Sequence, residues 1–567
     1  MDSNISPKTM INQMFMLDFR KWKNDDETQP KSLTKLNKVI KKFLIDKQFG
    51  GVILFRENIV DVEQTIYLID EIKKCSLDNM LIGIDQEGGI VNRIKYASTT
   101  PGNMLLGATN DSSNAYESSK IIARELSLLG FNINFAPTVD LNTRSDNSVI
   151  GVRSFGDNPK KVTEMSKMFI KGMRKEGIIP CIKHFPGHGD TNVDSHYALP
   201  TITSIKDIYE STHIYPFREI ISNNIEMIMT GHIALPVFDR QMVYSHKSNS
   251  YINVPATLSK IMITNYLRKS LNYKGIVISD ALTMHALSHH FNTYDIIIRA
   301  IYAGVNILLM PYQIESEKDI LKFNIILDKI FNKYSEDPLF ASRVKESYEL
   351  IKSLKESFAY NANDTNKKSI LNRIIIADNE IHSKKHSKKE IEIASSGITC
   401  LKDSGIIPFR LTNSTQHFII YDTCTDRLKV IRDYIQEVSR ISENNFMCQT
   451  YKYKLTDSLT DIKSSSFPRN AIFFIVSENI QNNDHFASKL TRYASSKSYK
   501  FINIISNLPY DIRYLKESKD CYCLYGTTRH DSNSEVISDL KVNLIAFLKI
   551  LFSIKPKFRG VLPVDIF

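Results

Sequence analysis

The chain has 567 residues, 42% of them hydrophobic and 24% charged, and a formal net charge of +11. At roughly 100–200 residues per domain, this length allows about three to four domains, or one large barrel with a smaller unit. Only 21 glycines and 18 prolines occur, which excludes collagen-like and Pro/Gly-rich disordered classes, while the mild positive charge permits an acidic partner without requiring one.

From the N-terminus, the first apolar run, Met14 to Phe19, is interrupted by Asp18 and is too short for the core of a secretory signal. No window of about 20 apolar residues follows that would suit a membrane span. The seven cysteines are scattered, odd in number and never spaced CxxC, which argues against a disulfide scaffold or a zinc ribbon. The expectation is a cytoplasmic protein with no membrane or nucleic-acid partner.

Eight short apolar runs then mark the first 350 residues: QMFMLDF (13–19), GVILF (51–55), MLIGID (80–85), FNINFAP (131–137), IIPCIKH (178–184), MIMTGH (227–232), GIVISD (275–280) and NILLMP (306–311). Their length and their Ile, Val, Leu, Met and Phe content suit strands buried on both faces of a parallel sheet. Amphipathic stretches lie between them, such as Asn114 to Leu129 and Pro159 to Lys175. Eight βα units over about 300 residues predict an α/β protein with an N-terminal (β/α)8 barrel of the TIM type, an open doubly wound sheet being the alternative. Several runs close on polar side chains, namely Asp85, Lys183, His184, His232 and Asp280, which a barrel would gather at the rim where active sites form.

Residues 355–390 turn polar, Lys-rich and Asn-rich and read as a linker containing some helix. After them, strand-like runs at 393–409, 417–422, 471–478, 499–506 and 521–526, with a helix expected over 536–552, predict a second α/β domain. The chain thus divides into a barrel over 1–354, a linker over 355–390 and a C-terminal α/β domain over 391–567.

The densest chemistry lies in KHFPGHGDTNVDSHYALP, residues 183–200, with three His, two Asp and one Lys in an irregular, Pro- and Gly-containing loop after a buried strand. Three readings compete. His184, His188, Asp190, Asp194 and His196 could ligate a metal, although no other His/Asp cluster clearly completes a set. The loop could be structural. Alternatively, Asp194 and His196, two residues apart, could form a carboxylate–imidazole pair for acid–base catalysis. In GIVISDALTM, Asp280 at a strand end could attack an electrophilic carbon, or could merely cap the following segment. GIDQEGGIVNRI sets Asp85, Glu87 and Arg93 around two glycines; it fits no nucleotide-binding pattern, and suits either hydroxyl recognition or a rim salt bridge. After NFAP comes a long polar loop with Asp140, Asn142 and Arg153.

Taken in this order, these elements resemble glycoside hydrolase family 3, and most closely its β-N-acetylhexosaminidase branch. Residues 183–196 match the branch's loop K-H-F-P-G-H-G-x-T-x-x-D-S-H at every specified position, and DQEGG with Arg93, NFAP with Asp140, VIG.RSFGD and SDAL.M fit as well. The resemblance implies a β-N-acetylglucosaminidase that needs no cofactor or metal and acts on a terminal β-linked N-acetylglucosaminide, including peptidoglycan-derived muropeptides. It also implies a retaining mechanism with Asp280 as nucleophile, His196 as acid/base and Asp194 as its partner. Asp85, Arg93, Arg153, Lys183 and His184 match positions that hold the sugar. A β-glucosidase or a phosphorylase is the nearest alternative within the family. The C-terminal α/β sandwich domain is then not expected to supply the acid/base. Asn306 departs from the Asp of many relatives, and the helix before the final GVLP lacks their usual Gly.

Overall fold

The computed structural model describes residues 5–24, 26–191, 198–361, 369–409, 415–462, 467–526, 528–530, 536–539 and 541–566. Each of the eight apolar runs forms a strand: β1 (Phe15–Asp18), β2 (Gly51–Ile53), β3 (Leu81–Ile84), β4 (Ile133–Asn134), β5 (Ile179–Phe185), β6 (Met227–Thr230), β7 (Ile276–Ser279) and β8 (Leu308–Leu309). They pair in parallel in the order β7-β6-β5-β4-β3-β2-β1-β8. The ends of this sheet meet: Ile278 bridges Ile307, and Ser279 N–H donates to the Ile307 carbonyl at 3.0 Å. The result is a parallel eight-stranded barrel. All its strand residues are buried, which is why the runs carry no polar alternation.

The helices between strands carry their own stop and start signals. Pro159–Lys175 begins with Asn158, whose side chain accepts the Lys160 and Lys161 N–H groups, and buries Val162, Met165, Phe169 and Met173. Ser112–Leu129 is capped by Asp111 and ends at Gly130 with φ 102°. The polar segment after the barrel is largely helical: Pro338–Asn361, Ile370–Glu380 and Lys384–Gly397. Ile374, Ala377, Ile381 and Ile393 bury themselves in the barrel's core cluster. Few apolar residues suffice there, because each helix covers the barrel with one narrow stripe.

The second sheet contains β9 (Thr399–Lys402), β10 (Gln416–Asp422), β11 (Phe446–Lys452), β12 (Ile472–Ser477), β13 (Lys500–Ile505) and β14 (Cys521–Cys523). Its order is β9-β14-β13-β12-β10-β11, parallel except at the β9 edge. The chain steps outward from β10 to β11 and back across to β12, so right-handed crossovers set helices Thr425–Ser442 and Phe486–Ser496 on opposite faces. Two sequence expectations change here. β11 has no counterpart among them, since FMCQTYK is an edge strand whose polar residues hide its pattern. The helix expected over 536–552 is shorter: Val536–Asp539 is a strand paired with Thr528–His530, and the helix runs Lys541–Leu551. The β-branched Val536 and Ile537 favour the extended form, while the apolar run continuing past them disguises the boundary.

The chain's C-terminal segment docks on the loop after β4. Asp157 N–H donates to the Pro563 carbonyl at 3.2 Å, and Asp565 N–H donates to the Asp157 carboxylate at 2.6 Å. Gly156, at φ 148°, is required at this contact, because a Cβ there would lie 2.3 Å from the Pro563 oxygen. The Asn142 amide of the same loop donates to the Tyr510 hydroxyl at 3.0 Å.

The departure at Asn306 sits at the barrel seam. Its Oδ1 accepts the Val277 N–H at 2.9 Å and an Arg268 N–H, and its Nδ2 donates to Ser347 at 3.0 Å. Asn306→Ala should therefore cost about 1–3 kcal/mol, read as a lower urea midpoint, because it strands buried donors. Asn306→Asp should keep most of that stability through Arg268. Equal midpoints for Asn306→Ala and wild type would exclude this role.

Candidate active site

The C-terminal ends of the barrel strands converge on one ammonium group. Lys183, on β5, places its Nζ 2.8 Å from Asp85 Oδ1 and 2.7 Å from Glu87 Oε1. Asp85 follows β3 directly. Glu87 returns to the same point because the chain reverses at Gly88 and Gly89, with φ of 85° and 62°. Any side chain at Gly89 would meet Gly102 Cα at 2.7 Å. Arg153, from the 3-10 turn Gly151–Arg153, grips Glu87 with Nη2 at 2.7 Å and Nε at 3.0 Å and donates to the Val149 carbonyl at 3.0 Å. Arg93 Nη2 stands 3.6 Å from the other Asp85 oxygen.

The Lys183 and Glu87 side chains are only 3% and 2% exposed, so each charge would be costly without its partners. Burial alone would raise the Glu87 carboxyl, but Arg153 and Lys183 outweigh it and hold the group well below the usual carboxylate range. Asp85 behaves likewise: Lys183 and then Arg93 overcome burial and lower it. Burial would lower Lys183, whereas Asp85 and Glu87 raise it. All three groups are charged at neutral pH.

His184, the next residue on β5, belongs to a second network. Its Nδ1 lies 2.7 Å from Asp140 Oδ2, and Asp140 Oδ1 also accepts the His188 N–H at 2.7 Å. Burial would raise Asp140, but His184 holds it low. Burial, then the neighbouring His184, lowers His188 to about 4. The base of the loop after β5 is pinned by Tyr209, whose hydroxyl donates to the Gly187 carbonyl at 2.6 Å, and by Asn147, whose amide donates to the His188 carbonyl at 3.0 Å. Asp190 accepts from the Ser204 hydroxyl, apart from the Asp140 carboxylate that His184 and His188 share. Asp194 and His196 lie outside the described residues.

Asp280 follows β7 and is not a helix cap, since the next helix starts at His285 behind an extended Met284. Its N–H donates to the Thr230 carbonyl at 3.0 Å, and its Oδ1 accepts the Ala281 N–H at 2.7 Å. His232 Nε2 lies 3.0 Å from the Ala281 carbonyl, which fixes a proton on that nitrogen, and His232 Nδ1 lies 2.9 Å from Thr257 Oγ1. Asp280, Asp85 and Arg93 open onto one cavity of about 820 Å³, with Arg20, Phe55 and His285 also on its walls. Arg20 stacks on Phe55, 3.8 Å from the ring centre.

The strand-end pattern gathers Asp85, Lys183, His184, His232 and Asp280 at one rim and the resemblance adds Arg93 and Arg153; the described structure sets Asp85, Arg93, Arg153 and Lys183 in one network, His184 in a second, and Asp280 beside them with its own backbone contacts. The sequence named Glu87 within a rim salt bridge and Asp140 within a polar loop, but gave neither the partners that make them the carboxylates holding those networks together. The glycine pair after Glu87 was the signal for the first. For Arg20 and Phe55 no local signal exists, since they reach the cavity only through barrel closure.

The geometry has counterparts. The family model described as "Glycosyl hydrolase family 3 N terminal domain" matches residues 8–346. The chain belongs to glycosyl hydrolase family 3. Beta-hexosaminidase A from Pseudoalteromonas piscicida is 34% identical over 433 residues, covering 74% of this chain and 71% of the relative. A beta-hexosaminidase from Neisseria gonorrhoeae (strain ATCC 700825 / FA 1090) is 34% identical over 258 residues, 44% of this chain and 68% of the relative. A family 3 β-N-acetylglucosaminidase structure from Paenibacillus sp. str. FPU-7 superposes with a TM-score of 0.79 at 25% identity, covering 99% of each chain. This family 3 member is a glycoside hydrolase, and it shares with the Paenibacillus structure a barrel followed by an α/β domain.

The Lys183 cluster makes a stability prediction. Glu87 is held below its unfolded value, so its contribution is present above that value, near pH 4.5, and is lost as pH falls further. Glu87→Gln should cost about 3–5 kcal/mol at pH 7, because Lys183 and Arg153 lose their shared partner. Its stability should also fall less steeply than wild type between about pH 5 and pH 3 in denaturant titrations. Parallel pH slopes would show that Glu87 is not the group responsible.

Proposed function

We propose that this family 3 enzyme is a retaining exo-β-N-acetylglucosaminidase. The observation that carries the reading is the Asp280 carboxylate opening onto the same cavity as Asp85 and Arg93, in a chain whose relatives are named beta-hexosaminidases. In this reading an Asp280 oxygen attacks the anomeric carbon while His196 gives its proton to the departing glycosidic oxygen. Asp194 orients and stabilises the imidazole, as a carboxylate does beside a catalytic histidine. The bond to the leaving group breaks as the ester to Asp280 forms. Water then attacks the same carbon, His196 takes its proton, and Asp280 departs, so the β configuration is restored.

Asp85 and Arg93 would bind the sugar's hydroxyls, with Arg153, Lys183 and His184 setting the charge and shape of the floor. His232 would fix the backbone at Ala281 and hence the direction of Asp280. The substrate we favour is a terminal N-acetylglucosaminide of peptidoglycan-derived muropeptides. Support comes from the cavity's cationic side, where Arg20, Lys21, Arg56 and Lys95 could meet carboxylates on the leaving group. Seven free cysteines support a reducing, cytoplasmic setting.

Asp280→Ala should lower kcat on an aryl N-acetylglucosaminide by about a thousandfold or more with the fold intact by circular dichroism. A fluorinated N-acetylglucosamine analogue should label the Asp280 peptide of the wild-type enzyme. Wild-type turnover by Asp280→Ala, or a label elsewhere, would sink the nucleophile assignment. Rates on glucoside against N-acetylglucosaminide, with and without phosphate, separate this activity from a β-glucosidase or phosphorylase: the proposal expects the N-acetylglucosaminide to be preferred and phosphate to be inert.

A further inference from the structure

The reversal that returns Glu87 to Lys183 is backed by one irregular strap, residues 98–103. Gly89 N–H donates to the Thr99 carbonyl at 3.0 Å and to the Thr100 carbonyl at 3.3 Å. At the other end of the strap, the Asn103 amide donates to the Arg153 carbonyl at 2.7 Å. The strap therefore holds the backbone beside both partners of the Glu87–Arg153 ion pair. Thr100 sits at its centre, 1% exposed, with φ of 46°. A β-branched residue adopts that left-handed conformation only when its surroundings impose it. There is no slack beside it, because a Cβ on Gly88 would lie 2.3 Å from Thr100 Oγ1. A shift of Thr100 is thus passed to the glycine pair and on to Glu87.

The groups that impose this shape come from outside the barrel's strands. Ser98 donates its N–H and hydroxyl to Glu125, on the helix Ser112–Leu129, at 2.8 and 2.6 Å. Glu125 also accepts the His382 N–H at 2.9 Å and stands 2.7 Å from His386 Nδ1. The Pro101 carbonyl accepts from the Asn543 amide, on the helix Lys541–Leu551, at 3.0 Å. Between these two holds, Glu390 Oε1 accepts the Thr100 N–H at 2.8 Å. Glu390 belongs to the helix Lys384–Gly397, beyond the barrel, and is 2% exposed. Of the three holds, it is the one placed on Thr100 itself. Burial, opposed first by the Thr100 N–H, pushes its carboxyl up to about 7, so an amide of the same shape can stand in for it near neutral pH.

We propose that Glu390 is a positioning residue for the sugar-binding floor: it fixes Thr100 and, through Gly89 and Glu87, the Lys183–Asp85 contact, so that a helix outside the barrel sets the geometry of the active site. This rests on the reading of Asp85 and Arg93 as groups that hold the sugar. The test measures kcat and KM on an aryl N-acetylglucosaminide, together with Ki for free N-acetylglucosamine. Glu390→Ala should raise KM and Ki together about fivefold or more while kcat stays within about threefold, because a loosened Asp85 weakens sugar binding before and during reaction alike. Glu390→Asp, which keeps the charge but draws the carboxyl back from Thr100, should raise both about threefold, and it carries the test if Glu390→Ala does not fold. Glu390→Gln should restore wild-type values within about twofold. Asn306→Ala, destabilised at the barrel seam away from the floor, should leave KM unchanged, which separates position from stability. An unchanged KM in Glu390→Asp, a loss in Glu390→Gln equal to that in Glu390→Ala, or an equal KM rise in Asn306→Ala would overturn the proposal. If the wild type cleaves no N-acetylglucosaminide, the substrate reading fails instead, and the same comparison on the β-glucoside it does cleave decides for or against Glu390.

Discussion

The active-site end of this barrel depends on burying one ammonium group. Lys183 rises from a strand that is apolar and buried up to that residue, and its charge is tolerable there only because Asp85 and Glu87 meet it from β3. Glu87 must also satisfy Arg153, which draws in the loop after β4. One ion cluster therefore ties the ends of three neighbouring strands together. It leaves Asp85 with one oxygen on Lys183 and the other toward Arg93 and the cavity. A carboxylate held on one edge and facing the cavity on the other fits the proposed role of Asp85 in holding hydroxyls, and the surrounding charges preorganise it.

The same logic extends outward. The loop carrying Asp140, Asn142 and Arg153 is held from inside by Glu87 and from outside by the C-terminal segment at Pro563 and by Tyr510. The second α/β unit thus acts on the site through this loop, and its sheet contributes no side chain to the cavity walls among the described residues. On the opposite side, the segment after Asp280 carries His285 at the rim and anchors the hairpin Met242–Ser245/Ser250–Asn253. The floor is thus charged and closed, while the rim is open and carries Arg20, Lys21, Arg56 and Lys95 beside Phe55 and His285.

Much of this was legible in the sequence, for a physical reason. Strands of a parallel barrel are buried on both faces, so each announces itself as an unbroken apolar run, and the polar residue that ends each run is already at the rim. Asp85, Lys183, His184 and Asp280 were found that way. Partners were harder to see. Glu87 and Lys183 are 96 positions apart, and Asp140 and His184 are 44 apart; nothing local links them before the barrel closes. The edge strand Phe446–Lys452 and the strand Val536–Asp539 were obscured for opposite reasons, the first by its polar residues and the second by an apolar run that continues into a helix. The loop motif holding Asp194 and His196 was the most specific signal in the sequence, and those two residues lie outside the described part of the structure.

The claim on which the chemistry turns is that Asp280 forms and releases a covalent bond to the sugar. The anomer first released tests its first consequence, retention of configuration. Proton NMR spectra taken in the first minutes of hydrolysis of an aryl β-N-acetylglucosaminide should show the β-anomer appearing alone, with the α-anomer growing in later by mutarotation. If the α-anomer appears first, water has displaced the leaving group in one step, and Asp280 is not the nucleophile.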